Sequence, residues 1–175
     1  VVDFNNEEDK KIFKKLLAIS DVLIDNFKPG TLEKYGFSSS YLKKNFPLLI
    51  QTKISGFGET GPLKENPAYD MIVQAMGGIM SITGKNKNET YRVGSSIGDI
   101  VAGLYAVIGV LTQIIFRNQS KKGSRLDLSM LDCQVAILEN AIARYSVDKK
   151  IPCPLGNNHP SITPFGSFKT LDGVL

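Results

Sequence analysis

From Val1 to Ile54 the chain alternates between β-forming and helix-forming stretches, and that order restricts the fold more than any other feature. Val1 to Phe4 is a short apolar run expected as a strand. Asn5 or Asn6 then caps a predicted helix through Glu7-Glu8-Asp9, with Ile12, Phe13, Leu16 and Leu17 as its inner face. Asp21 to Phe27 reads as the next strand, and Lys28-Pro29-Gly30 turns the chain into a short helix from Thr31. A second helix over Ser38 to Asn45 leads past Pro47 to a strand over Leu48 to Ile54. Strands separated by helices pair in parallel, so the expected class is α/β, a Rossmann-like parallel sheet with flanking helices. Ligands of such sheets gather beyond the carboxyl ends of the strands, here Asn26-Phe27 and Ser55 to Gly58.

The remainder continues the pattern. Tyr69 to Ile82 is expected as one helix, its methionines in the core and Gly77-Gly78 marking a close backbone approach. Lys85 to Thr90 is a polar surface loop, Ile97 to Arg117 an apolar helix, Arg125 to Ser129 a strand and Met130 to Tyr145 another helix. The prolines and glycine between Ile151 and Pro164 give an extended loop, and Asp172-Gly173 is a hairpin turn whose return strand is cut short. The expected division is a large α/β region over 1–150 and an extended loop with a hairpin start over 151–175. With Val1 in place of Met and the short return strand, the chain reads as an internal fragment of a longer protein.

Arg92 to Gly103 is the stretch with chemical character. Ser96 and Asp99 fit a capping box at the start of the apolar helix, which puts Asp99 in the first turn, where the macrodipole favours its ionised form. Gly94, Gly98 and Gly103 leave room around it. A nucleophilic carboxylate needs such a place, charged, reachable and free of a fixed cation, although an aspartate there is ordinarily only a cap.

Other chemistries are disfavoured. The glycines of Ser55 to Pro62 do not fit G-x-G-x-x-G, so a flexible loop on the substrate side is the better reading; Gly78 to Asn86 misses the P-loop spacing and its Ser or Thr. A formal charge of +4 comes from lysine pairs scattered along the chain, with no basic block or nucleic-acid module. One histidine and two cysteines outside any CxxC cannot build a multi-histidine or four-cysteine metal site, and they point to a reducing, cytoplasmic compartment. Gly98, Asp99, Gly103, Gly109, Thr112 and Gln113 interrupt the longest apolar helix, which argues against a membrane span.

Taken together and in order, Asp21 to Gly30, Ile54 to Pro62, Tyr69-Asp70, Gly94 to Gly103 and Lys122 to Asp132 resemble the class III CoA-transferase family over nearly the whole chain. The resemblance implies part of a longer CoA-binding α/β fold that assembles as an interlocked homodimer. It also implies a transfer of CoA from an acyl-CoA thioester to a small carboxylic acid. Coenzyme A is then a substrate, with no tightly bound cofactor and no metal. Asp99 matches the catalytic aspartate, which would carry CoA as an aspartyl thioester. CoA contacts fall on Asn26, Phe27, Lys34 (where relatives usually have arginine) and Met130, and Tyr69 falls at the substrate.

Two alternatives stay open. Racemases of the same superfamily carry a catalytic histidine at the position of Tyr69, and a phenol is poorly suited to that proton transfer at neutral pH. The third reading is a CoA-binding module without turnover.

Overall fold

A computed structural model describes all 175 residues. Helix α1 (Glu7–Ile19) opens on Asn6, whose side chain accepts the Glu8 N–H at 2.8 Å, and its acidic first turn complements the helix dipole. Strand β1 (Val22–Asp25) follows, then the short helices α2 (Thr31–Lys34) and α3 (Ser39–Asn45), then β2 (Ile50–Ser55). Ser38 caps α3 by accepting the Tyr41 N–H at 3.2 Å. The chain continues through α4 (Asp70–Met76), α5 (Ile79–Ile82), a small hairpin of β3 (Gly84–Asn86) and β4 (Glu89–Thr90), and α6 (Ile97–Ser120). It closes with β5 (Arg125–Ser129), α7 (Met130–Ala136) and α8 (Glu139–Asp148).

The main sheet is parallel with order β1-β2-β5, Asp25 lying opposite Lys53 and Lys53 opposite Asp127. Because side chains alternate across a strand, Leu49, Gln51 and Lys53 share one face with Leu23 and Asp25. There the first core forms, from Leu17, Leu32, Phe37, Leu42 and Leu49 with an aromatic group that includes Phe4 and Phe13. The opposite face, with Ile54, Leu126 and Leu128, takes α6 and the second core of Val73, Val101, Ala102, Met130 and Cys133. A Cβ at Gly109 would stand 2.4 Å from Leu126 Cδ2, so glycine is what lets α6 lie flat on β5.

Several expectations need correction. Val1 to Phe4 forms no strand. The inner face of α1 is Phe13 and Leu17, while Ile12 and Leu16 are about half exposed. The helix expected over Tyr69 to Ile82 is broken at Gly78, whose φ of 90° lies in the left-handed region, and Gly77 is approached by the Gln134 side chain rather than by another backbone. Met71 and Met76 are exposed, the loop over Lys85 to Thr90 is largely the β3-β4 hairpin, and the last long helix divides between α7 and α8. The turn at Asp172-Gly173 does form, with the Thr170 N–H donating to Gly173 O at 2.9 Å.

Helix α6 also departs from its reading. By length and composition it is apolar enough to cross a membrane, a helix of 24 residues containing an 18-residue stretch with a mean hydropathy of 1.9 despite its interruptions. One face packs on the sheet, and Leu104, Ile108, Leu111 and Ile115 are exposed on the other.

Candidate active site

A cleft of about 500 Å³ opens beyond the carboxyl ends of β1 and β2, where the first turn of α6 meets the segment leading into α4. Asn26, Phe27, Tyr69, Asp99 and Met130 all line it. Asn26 is held there because its Nδ2 donates to Ile54 O on the neighbouring strand at 2.9 Å. Tyr69 stands at the N-cap of α4, largely exposed, and Met130 is a buried wall that also belongs to the second core. Lys34 does not join them: it lies outside the lining, with its ammonium 5.5 Å from the Tyr35 ring. The one cation of the lining is Lys28, in the turn after β1.

Asp99 sits in the first turn of α6 as its sequence spacing predicts, but the capping box is absent: Ser96 caps nothing with its side chain. The Gly98 N–H donates instead to Asp70 Oδ1 at 2.8 Å. Asp99 has no ion-pair partner, and its carboxyl titrates above the ordinary aspartate value of 3.8. Partial desolvation against the cleft wall is the larger cause and the nearby negative charge of Asp70 the second. Both act against the helix dipole, which favours the ionised form.

Contacts to β2 and β5 hold the loop after β2 as far as Glu59. Gly58 N–H donates to Ser55 Oγ at 3.0 Å, Glu59 N–H donates to Asp127 Oδ2 at 2.9 Å, and the Glu59 carboxylate pairs with Arg125. Burial pushes the Glu59 carboxyl up, against the pull of Arg125. Beneath the loop, Lys53 Nζ and Asp25 Oδ1 form a buried ion pair at 2.7 Å. Cys133 is buried, and its thiol is raised by desolvation, which suits a core residue rather than a nucleophile.

The family model for CoA-transferase family III matches residues 1–175. The chain belongs to that family. Relatives of this CoA-transferase family III chain include the acetyl-CoA:oxalate CoA-transferase of Acetobacter aceti, 40% identical over 98% of the chain. The succinate–glutarate CoA-transferase of Agrobacterium fabrum is 38% identical over 100% of it. The chain spans 44% of the length of each. A solved CAIB/BAIF family protein from Brucella suis superposes with a TM-score of 0.92 at 40% identity, covering 99% of this chain and 46% of that one. The α/β class with a parallel sheet and flanking helices is therefore the fold that the chain shares with this family.

Sequence reasoning missed three residues of the site. Lys28 was absorbed into a turn; its signal was a lysine directly after the strand end. Asp70 and Gln74 lie 19 to 28 positions before the residues they hold around the start of α6, and only the Tyr69-Asp70 motif hinted at one of them.

Proposed function

We propose that the protein is a CoA-transferase that moves CoA from an acyl-CoA thioester to a free carboxylic acid, with Asp99 as nucleophile. One observation carries this: a carboxylate without a cation stands on the wall of a large cleft at the carboxyl edge of a parallel sheet. In the first step the Asp99 carboxylate attacks the thioester carbonyl, the C–S bond breaks, and a mixed anhydride forms with release of CoA thiolate. The thiolate then attacks the aspartyl carbonyl, giving aspartyl-CoA thioester and the free donor acid. The acceptor carboxylate attacks that thioester, releasing CoA thiolate again. The thiolate finally takes the acceptor acyl group from the second anhydride and restores Asp99.

No proton has to move in this sequence, because each nucleophile is an anion and each leaving group departs as one. What the protein supplies is position and exclusion of water. Asn26, Phe27 and Met130 form the wall against which the CoA thioester lies, with Lys28 as its positive rim and Tyr69 at the mouth facing the acids. Both named relatives act on a dicarboxylic acid, which supports a dicarboxylate as one of the two acids. The same reading carries a homodimer, residues 1–150 as part of the CoA-binding region, and a cytoplasmic location.

The test is mass spectrometry of the full-length protein after brief incubation with a panel of acyl-CoAs. Hydroxylamine converts an aspartyl thioester to a hydroxamate, and borohydride reduces it to the alcohol. Modification at Asp99, absent in Asp99→Ala, is expected. No adduct with any donor, together with α-proton exchange into deuterated water, would move the assignment to the racemase branch.

A further inference from the structure

We propose that Asp70 and Gln74 form a clamp from α4 that fixes the first turn of α6, with Asp70 the positioning residue for Asp99. This rests on the reading of Asp99 as nucleophile. The first N–H groups of a helix need acceptors, which a neighbouring Ser or Asp usually provides. Here Ser96 provides none with its side chain, and the acceptor at Gly98 comes from another helix, 28 residues earlier in the chain. Gly98 is suited to this: a Cβ would lie 3.1 Å from Asp70 Oδ1 and 3.2 Å from Val73 Cγ1, so a larger residue would crowd both. Asp99 is the next residue along that turn.

Gln74 extends the contact. Its Nε2 donates to Asp70 Oδ2 at 2.8 Å and to Ser95 O at 3.3 Å, while its Oε1 accepts the Val93 N–H at 2.8 Å. The side chain is fully buried, and both ends of the amide are used. Thus two residues one turn apart on α4 hold Val93, Ser95 and Gly98, which lead the chain into Asp99.

The polarity of this network is fixed throughout. Asp70 receives a donor on each oxygen, so Asp70→Asn would set an NH₂ group against either the Gly98 N–H or Gln74 Nε2. Gln74→Glu would set two carboxylates against each other. The exchanged pair, Asp70→Asn with Gln74→Glu, restores the two short contacts on either side of the new Asn–Glu bond. It gives up the longer contact to Ser95 O and keeps the same net charge. A core that merely needed filling would not distinguish these variants in this order.

The experiment measures steady-state transfer and hydrogen exchange at the Val93 and Gly98 amides in the full-length protein and its three variants. Each single variant is expected to lose about 10- to 100-fold in kcat, the range for a misplaced reactive group, with KM for the acyl-CoA changed less than about threefold. Exchange at both amides is expected to rise. The exchanged pair is expected to recover kcat above both singles and to slow the exchange again. Unchanged exchange in the singles would overturn the clamp, and faster exchange with unaltered kcat would overturn its positioning role. A pair no better than the worse single would overturn the polarity argument. An Asp99→Ala control that still turns over would instead remove the reading of Asp99, while the amide exchange still decides whether the clamp exists.

Discussion

Asp25→Asn removes one half of an ion pair that the sheet has enclosed, and the size of the effect follows from where the other half remains. The Lys53 side chain is 7% exposed and that of Asp25 9%, with Nζ and Oδ1 at 2.7 Å. Losing one member of such a pair leaves an uncompensated charge in a poorly hydrated place, worth about 3–5 kcal/mol of stability. Asp127, opposite Lys53 on the third strand, keeps some negative charge near the ammonium, so Asp25→Asn belongs at the lower end. Lys53→Met leaves Asp25 and Asp127 without the cation between them and belongs at the upper end. At an m-value of about 2 kcal/mol per molar urea, the unfolding midpoint falls by about 1.5 M for the first and about 2.5 M for the second. The assay is equilibrium urea unfolding followed by circular dichroism. Replacing both partners with apolar residues, Asp25→Leu with Lys53→Met, should return to within about 1–2 kcal/mol of the parent, since the desolvation of both charges disappears together. A loss below about 1 kcal/mol for Asp25→Asn would refute the reasoning, because the ammonium would then be reaching solvent.

Asp99 should make opposite contributions to activity and stability. Its folded pKa is raised, so the folded state holds the proton to higher pH than the unfolded chain, and the carboxylate destabilises the fold above that raised value. Asp99→Asn should therefore abolish transfer and stabilise the protein at neutral pH, a gain that disappears in urea titrations once the pH falls below the unfolded value. In the parent, kcat/KM should decline as the pH falls through a value above 3.8, as a pH–rate profile will record. Gly98→Ala sets the gain of a residue that favours helix, about 1 kcal/mol, against crowding of Asp70 and Val73. Unfolding free energy should change by less than about 1 kcal/mol while kcat falls, measured side by side. Phe37→Ala empties a site that is 1% exposed between Phe4, Phe13 and Tyr41, and should lose about 3–5 kcal/mol in the same urea assay.

What the sequence conveyed well was local. Asn6 and Ser38 announce their helices because a cap acts within three residues, and β1, β2 and β5 carry β-forming residues between turn signals. Asp99 lands in the first turn of α6 because the apolar helical spacing begins at Ile97, two residues before it. The unreadable parts depended on distant partners. Ser96 resembles a cap in sequence, yet Asp70 occupies the site because α4 brings it there. Lys34 and Lys28 both look like solvated lysines, and only the path of the turn after β1 puts Lys28 at the cleft and Lys34 beyond it. The break at Gly78 escaped notice because apolar spacing continues on both sides of it. The Asp25–Lys53 pair was hidden because each residue reads as an ordinary polar strand position until register places them opposite each other.

Arg117 gives α6 a second fixed point. Its guanidinium pairs with Asp21 Oδ1 at 2.8 Å and donates to the carbonyls of Asp21 and Leu48, just ahead of β1 and β2. The helix is therefore anchored at the entry edge of the sheet by Arg117 and at the exit edge by the bond from Gly98. It works as a ruler of set length. One residue deleted between these anchors would draw Asp99 back by about 1.5 Å and turn it by about 100° around the axis, away from the cleft. The count of residues from Gly98 to Arg117 is thus set by the distance between the two edges of the sheet.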